Sequence, residues 1–153
     1  MAARWRIDVY RHADAPRDLV WSLLEDHRGY SGWNPYPRAE LEREGSPTPN
    51  AVGAIRFLGA GPVGAREQVL DHEPPRLLAY TILSGMPVRG YRADVVLTET
   101  SDGGTDIRWT GGFESAPPGM ARLLRGFLDR TLQGLAGRLA AEAERRARAT
   151  SSS

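Results

Sequence analysis

The chain alternates between hydrophobic and polar residues over much of its length, which is the pattern of β-strands buried on one face. The alternation is regular at residues 4–11 and weaker, with more charge, at residues 38–44. Between residues 52 and 114 it recurs in five runs that are separated by short connectors rich in Gly, Pro and Asp. Connectors of this kind form tight turns between antiparallel strands. The pattern therefore predicts seven strands, six of which follow one another along the chain.

Two segments have the apolar spacing of an amphipathic helix. The first covers residues 14–27, where Pro16 is suited to the first helical turn. The second begins at residue 115 and, at some 30 residues, would span about 45 Å, enough to cross a whole sheet. Three glycines interrupt it at a cost of up to about 1 kcal/mol each relative to Ala, so close packing or a kink is expected there. Its apolar positions are Met120, Leu124, Phe127, Leu128, Leu135 and Leu139.

An antiparallel meander with one apolar face needs a cover, and a single long amphipathic helix can provide it. The sequence therefore predicts an α+β fold. At 153 residues the chain is most simply one domain. We assign this domain to residues 1–148 and expect a disordered tail at residues 149–153.

The turn signals also predict the strand registers, and through them the side chains that share a face. The predicted cross-strand pairs are Leu97–Ile107, Val95–Trp109, Tyr91–Phe113, Val69–Leu78, Glu67–Tyr80 and Arg56–Glu67. Across the sheet they give one apolar row, formed by Val69, Leu78, Val95 and Trp109. The neighbouring row on the same face is formed by Arg56, Glu67, Tyr80, Ala93 and Gly111.

The second row predicts a pocket. Ala93 and Gly111 leave space, while Arg56, Glu67 and Tyr80 bring polar groups inward, where each costs roughly 1–3 kcal/mol unless it is partnered. Polar side chains that hydrogen-bond to one another beside empty volume are typical of a ligand site. The alternative is that Arg56 and Glu67 form an ion pair on the solvent side of the sheet.

An aromatic corner at residues 29–37, GYSGWNPYP, has neither helical nor strand period. Its prolines fix a turn of the chain without requiring backbone donors. Trp33 and Tyr36 either wall the pocket or form a plug that holds the short helical segment on the sheet. For Tyr30 the plug is the favoured interpretation.

The chain resembles the START-like (SRPBCC) helix-grip superfamily, particularly its polyketide cyclase/dehydrase-like branch. The resemblance runs from about residue 5 to residue 139 and rests on the order and spacing of DAPRDLVWSLLED, WNP, VGAIR, EQV, EPPRLLAY and GGTDIRW. It implies a Bet v 1-like fold, in which a curved seven-stranded antiparallel sheet wraps a long C-terminal helix and leaves a cavity between them.

For chemistry in such a cavity, Glu67 is the candidate base because burial raises the pKa of a carboxylate. Arg56 would orient an enol or carboxylate oxygen and Tyr80 would donate a hydrogen bond, so these three are the candidate catalytic residues. A nearby Arg56 would also lower the pKa of Glu67, and the sequence leaves the balance open. The candidate ligand-binding residues are Trp33, Tyr36, Val69, Leu78, Tyr91, Ala93, Val95, Trp109, Gly111, Phe113, Leu124 and Phe127.

Composition excludes several other functions. A formal net charge of +1 lacks the basic field of a general nucleic-acid surface. The absence of Cys excludes disulfides and thiolate chemistry. No apolar run approaches the roughly 20 residues of a membrane span, and the N-terminus has no apolar signal block. We expect a cytoplasmic monomer or homodimer without nucleic-acid binding or membrane insertion.

Two familiar motifs fail their context tests. Residues 59–64, GAGPVG, match G-x-G-x-x-G, but the next segment is predicted to be a strand, so a hairpin is favoured over a dinucleotide site. The three histidines lack the i, i+4 spacing of a zinc site. His72 is expected to be solvated. His27 follows a helix end where a cation is favourable, and an acid or base in the pocket is the less favoured alternative for it. No cofactor or metal is expected.

Three functions remain open. The first is a cofactor-free polyketide cyclase or dehydrase that acts on a hydrophobic or aromatic small molecule. The second is a non-catalytic carrier or sensor of a lipid-like ligand. The third is a regulatory interaction module, which would need an exposed apolar patch that the sequence does not reveal.

Overall fold

The computed structural model describes residues 4–29 and 31–151, so Tyr30 of the aromatic corner lies outside the described residues. The α+β prediction is confirmed. The elements in chain order are β1 Trp5–Ala13, α1 Arg17–Leu24, β2 Arg38–Arg43, β3 Ile55–Ala60, β4 Val63–Glu73, β5 Leu77–Ser84, β6 Arg92–Glu99, β7 Thr105–Phe113 and α2 Ala121–Ser151.

The seven strands form one antiparallel sheet with the order β1-β7-β6-β5-β4-β3-β2. Strands β2 to β7 are neighbours in sequence as well as in space, as their short turn connectors require. The first strand instead pairs with the last, from Trp5 opposite Phe113 to Ala13 opposite Thr105. Helix α1 and the aromatic corner therefore carry the chain from one edge of the sheet to the other.

Three of the six predicted cross-strand pairs are confirmed. Val95 lies opposite Trp109 and Leu97 opposite Ile107, and Arg56 lies opposite Glu67. The predicted Tyr91–Phe113 pair lies one residue beyond the last pair of β6 and β7, which is Arg92–Gly112.

The predicted register between β4 and β5 is wrong. Val69 lies opposite Tyr80 and Glu67 opposite Ile82, with an irregularity between Val69 and Asp71. Next to the turn, His72 pairs with Leu78, which is three residues from the predicted register. The extra residue Leu70 is a bulge that reduces this difference to two for the remaining pairs. Because the displacement is two residues, each side chain stays on its predicted face.

Helix α2 packs against β1, β7 and α1. It begins after the two prolines at 117 and 118 rather than at residue 115. Its last turn includes residues 149–151, which the sequence assigned to a tail, and the hydroxyls of Thr150 and Ser151 donate to backbone carbonyls one turn earlier. Its buried residues are Leu128, Leu132, Leu135, Ala136, Leu139, Ala140 and Ala143.

The apolar stripe predicted for α2 is therefore only partly buried. Met120 and Phe127 are 38% and 57% exposed, and Leu123 beside them is 75% exposed. The sequence revealed no exposed apolar patch, but the structure exposes these three apolar side chains near the start of α2. Within residues 4–29 and 31–151, no helix combines the length and apolar character needed to cross a membrane.

Candidate functional site

A cavity of about 420 Å³ lies between α2 and strands β3, β4 and β5. Its volume falls in the range of about 300–1,000 Å³ that is usual for small-molecule sites. The sheet contributes Leu58, Tyr80 and Ile82, and the corner contributes Tyr36. On the helix side the wall is formed by Phe127, Leu128, Arg130, Thr131, Leu132, Gly134, Leu135 and Arg138. The cavity is thus mostly apolar, with charged groups confined to a few positions.

The cavity owes part of its space to Gly134 in α2. A Cβ atom at this position would meet nothing within 4 Å. The space predicted at Gly111 is filled, because a Cβ there would lie 3.2 Å from both Leu132 Cδ1 and the Tyr91 hydroxyl. The free volume therefore lies nearer to β3 and β4 than the sequence suggested.

The Arg56 side chain points inward and contacts Glu67, His27 and the ring of Tyr80. Its Nε and Nη2 atoms lie 2.9 Å and 2.8 Å from Glu67 Oε1. Its Nη1 atom donates to His27 Nδ1 at 3.0 Å, and its guanidinium carbon lies 4.6 Å from the centre of the Tyr80 ring. Arg56 is only 7% exposed, which excludes a solvent-side ion pair. Each of the three guanidinium nitrogens makes one of these contacts, so Arg56 orients Glu67 and His27.

His27 is the buried partner of Arg56 that sequence analysis missed. Its Nε2 atom lies 3.3 Å from the carbonyl oxygen of Asn50, so Nε2 carries the proton and Nδ1 accepts from Arg56. Burial, with a further contribution from the charge of Arg56, lowers the pKa of His27 to about 3. The imidazole is therefore neutral at pH 7, contrary to the expected helix-end cation. No sequence motif places residues 27, 50 and 56 together.

Glu67 is the carboxylate that reaches the cavity. Burial raises its pKa, and the charge and hydrogen bonds of Arg56 oppose that rise. Both Arg56 contacts are made to Oε1. Among the described residues, Oε2 has no hydrogen-bond partner and is not fully enclosed. Glu67 thus offers the cavity one oriented oxygen with a raised proton affinity.

Two tyrosines of the cavity wall differ in their hydrogen bonding. The Tyr80 hydroxyl accepts from Trp109 Nε1 at 3.2 Å. The buried Tyr91 hydroxyl has no hydrogen-bond partner among the described residues. The Tyr80 hydroxyl is nevertheless close enough to influence the pKa of Tyr91. Burial is the main cause that raises the pKa of both phenols, so both are protonated at pH 7.

This difference predicts opposite effects of removing the two hydroxyls. Tyr80→Phe should lower the free energy of unfolding by about 1–3 kcal/mol, because it leaves the buried Trp109 indole N–H unpaired. Tyr91→Phe removes an unpaired buried hydroxyl and should be neutral or stabilising by up to about 1 kcal/mol. Urea unfolding of both variants measures the difference. Equal losses in the two variants would contradict this assignment.

The two placed aromatic residues of the corner have different roles. Trp33 is 9% exposed, donates from Nε1 to the Leu23 carbonyl oxygen at 2.6 Å, and packs with its ring centre 6.4 Å from that of Trp109. It fastens the corner to the end of α1 and also borders a second, small cavity of about 40 Å³ beside Arg56. Tyr36 lines both cavities. The plug interpretation therefore describes Trp33, and the wall interpretation describes Tyr36.

The remaining candidate ligand-binding residues divide into two groups. Tyr91 and Phe127 line the main cavity, and Trp109 borders the small one. The others do not line either cavity. Five of them are buried, namely Val69, Leu78, Ala93, Val95 and Phe113, and two are half-buried, namely Gly111 and Leu124. Sequence analysis located the buried face correctly but could not tell the part that α2 covers tightly from the part that it leaves open.

Two further expectations about local chemistry have clear outcomes. Residues 59–64 form the turn between β3 and β4, where Ala60 pairs with Val63, and a strand follows as predicted. His72 is not solvated: its side chain is 9% exposed, and its Nε2 atom lies 2.9 Å from Glu25 Oε2. Its ring also packs 5.4 Å from that of Trp21. The contact joins β4 to the end of α1, and distance along the chain hid it from the sequence.

The open antiparallel sheet, the long C-terminal helix against it and the cavity between them define the START-like, Bet v 1-like helix-grip class. Residues 4–144 match the family described as polyketide cyclase / dehydrase and lipid transport. Since the match covers nearly the whole chain, the protein belongs to this family. The resemblance stated from the sequence is thereby confirmed.

Solved structures with the same fold cover the chain at low sequence identity. The Zhui aromatase/cyclase from Streptomyces sp. R1128 aligns with a TM-score of 0.71 and 21% identity, over 92% of this chain and 94% of that chain. A START superfamily protein from Mycobacterium smegmatis aligns with a TM-score of 0.74 and 12% identity, over 92% and 97% of the two chains. A protein from Thermobifida fusca aligns with a TM-score of 0.71 and 23% identity, over 90% and 94%. These likenesses establish the fold alone.

No match was found among curated proteins.

Proposed function

We propose that the protein binds one hydrophobic or aromatic small molecule in the cavity between the sheet and α2. The observation that carries the proposal is the size and character of that cavity, which is about 420 Å³ and lined mainly by aliphatic and aromatic side chains. Apolar walls favour transfer of an apolar ligand from water, and a few polar groups can fix its orientation. Membership of a cyclase, dehydrase and lipid-transport family supports the same conclusion.

The catalytic form of the proposal is a cofactor-free cyclisation or dehydration with Glu67 as the proton carrier. In a dehydration, Glu67 Oε2 removes the proton next to a substrate carbonyl and then returns it to the departing β-hydroxyl group, which leaves as water. In a cyclisation, the same proton passes from the nucleophilic carbon to the alkoxide formed on the attacked carbonyl. Arg56 is a positioning residue because it fixes Oε1, and Tyr80 supplies a protonated phenol at the cavity wall.

The alternative is a carrier or sensor that needs the cavity but performs no reaction. Its support is the ion pair itself, since an arginine at 2.8 Å lowers the basicity that burial gives to Glu67. Glu67→Gln separates the two forms, because the amide oxygen can still accept from Arg56 while the side chain can no longer accept a proton. Loss of turnover with unchanged affinity would identify an enzyme.

Occlusion of the cavity tests the binding proposal directly. Gly134→Leu places a side chain at the cavity wall and should weaken binding of the neutral dye Nile red by tenfold or more. Gly126→Leu is the matched control, because it also replaces an open helical glycine but does not line the cavity. Both changes remove a glycine from a helix, which favours folding by up to about 1 kcal/mol, so neither should unfold the protein.

The readout is a fluorescence titration of the dye, with native mass spectrometry of the freshly purified protein to detect a co-purifying ligand. If the dye binds both variants equally, or binds none of the proteins, the cavity is not a ligand site. A co-purifying molecule present in wild type and in Gly126→Leu, but absent in Gly134→Leu, would identify the ligand class.

A further inference from the structure

We propose that the ligand is an amphipathic anion, whose carboxylate or phosphate head is held at the cavity mouth by Arg130 and Arg138. This inference rests on the proposed function and specifies the ligand that the same cavity takes. It assigns the apolar part of the ligand to the interior and the charged part to the rim formed by α2.

The charges of the cavity lining are unequally compensated. Within the described part of the chain, the charged residues that line the cavity are Glu67, Arg130 and Arg138. Glu67 is already paired with Arg56 at 2.8 Å. Among the ion pairs of the described residues, neither Arg130 nor Arg138 has a carboxylate partner. The wall therefore carries two uncompensated positive charges at its solvent side, where both arginines are exposed.

The spacing of the two arginines places them on either side of an opening. Positions 130, 134 and 138 are four residues apart, so they follow one another along one side of the helix. Eight residues correspond to a rise of about 12 Å, a distance that two flexible arginine side chains can share around one head group. Between them lies Gly134, whose missing side chain leaves nothing within 4 Å. The rim is thus open and basic at the same place.

The neighbouring acids do not neutralise this rim. Glu142, one turn further along α2, is bound by Arg145 and Arg146 at 2.6 Å and 2.9 Å. Asp129 is adjacent in sequence but does not line the cavity and has no ion pair with Arg130 within the described part of the chain. A ligand anion would therefore be the counter-charge for Arg130 and Arg138.

The chemistry of the two ends fixes the orientation of the ligand. A guanidinium group matches the geometry of carboxylate and phosphate oxygens and can bind them through paired N–H donors. At the inner end, the nearest cation, Arg56, is already paired with Glu67 at 2.8 Å, while the walls favour hydrocarbon or aromatic groups. A ligand with its anionic head group at the rim and its apolar body inside matches the basic rim and the apolar interior.

The test compares four ligands that share one dodecyl chain, each below its micellar concentration, as competitors of Nile red. Dodecanoate and dodecyl phosphate carry the anion, dodecanol is neutral, and dodecyltrimethylammonium is a cation. We expect both anions to displace the dye at concentrations about tenfold lower than dodecanol, and the cation to be weakest. The two anions distinguish a carboxylate from a phosphate ligand, and their advantage should shrink at high salt.

The variant Arg130→Gln/Arg138→Gln should weaken the anions by about tenfold and leave dodecanol unchanged, since exposed charge pairs contribute a few-fold each. Arg122→Gln is the matched control because Arg122 is an exposed arginine of the same helix that does not line the cavity. It should leave all four competitors unchanged.

The outcomes separate this inference from the proposed function. If Nile red binds and Gly134→Leu blocks it, but dodecanol competes as well as the anions, the cavity is a ligand site and the anionic head is refuted. Equal losses in the double variant and in Arg122→Gln would also refute it, because they would reflect the overall charge of the helix. If no dye binds, the proposed function itself fails.

Discussion

Replacing Arg56 with methionine should lower the free energy of unfolding by about 3–5 kcal/mol at pH 7. The change leaves Glu67 without its partner while its side chain is only 12% exposed, and an uncompensated buried charge carries a penalty of this size. It also removes the donor to His27 Nδ1. Since single domains are stable by about 5–15 kcal/mol, urea unfolding should detect a large shift of the midpoint.

The double variant Arg56→Met/Glu67→Leu keeps this prediction testable if the single variant does not fold. Replacing both charges with apolar side chains removes the stranded carboxylate, so most of the lost stability should return. Arg66→Met is the matched surface control. Arg66 pairs with Glu42 at 2.8 Å on the same sheet but is 48% exposed, and its loss should matter by less than about 1 kcal/mol. A similar loss for Arg66→Met and Arg56→Met would contradict the buried-pair account.

Protonation of His27 should make the protein less stable in acid. The pKa of His27 is lowered from 6.5 to about 3 in the folded state. Between these values the unfolded chain binds a proton that the folded chain does not, so stability falls as the pH falls. The slope is about 1.4 kcal/mol per pH unit, and the loss between pH 6.5 and pH 4.5 is roughly 2–3 kcal/mol.

The variants His27→Asn and His27→Gln isolate this contribution. Asn can retain an acceptor for Arg56 and Gln a donor to the Asn50 carbonyl, and neither side chain titrates. The difference in unfolding free energy between wild type and either variant should therefore vary with pH over this window. Glu67 also contributes to the pH dependence of stability, and because its pKa is raised, its contribution has the opposite sign. Glu67 is present in all three proteins, so its contribution largely cancels when their unfolding free energies are subtracted.

His12→Gln is the control for a histidine at the surface. Asp106 raises the pKa of His12, so its contribution is complete below pH 6.5 and is lost only as the pH rises through the folded value. Below pH 6.5, the unfolding free energy of this variant should therefore change with pH in parallel with that of wild type. If the unfolding free energy of the His27 variants also runs parallel to that of wild type below pH 6.5, His27 is not the buried neutral imidazole described above.

These two predictions bear on function because the same cluster orients the oxygen that faces the cavity. Arg56 joins His27 to Glu67, and its guanidinium lies over the Tyr80 ring. A carboxylate held by a rigid, buried partner presents Oε2 in one direction. Loss of the cluster should therefore disturb ligand binding through position as well as through charge.

The sequence determined the elements, the antiparallel succession of the hairpin-connected strands and the buried face, because strand period, helix period and turn chemistry are local properties. The Arg56–Glu67 pair followed from one short hairpin, whose turn fixes the register over only a few residues. The same reasoning failed between β4 and β5 because the turn lies further along the chain than predicted, with Glu73 opposite Leu77, and a bulge at Leu70 then changes the register again.

Only the tertiary structure decided where the cavity lies and which groups surround it. Gly111 offered space in the sequence, but Leu132 and Tyr91 occupy it, whereas Gly134 borders open volume. His27 became the partner of Arg56 through a turn after α1 that no periodicity describes. Packing of one long helix across a sheet depends on the volumes of all facing side chains together, so local patterns could identify the two surfaces but not the gap between them.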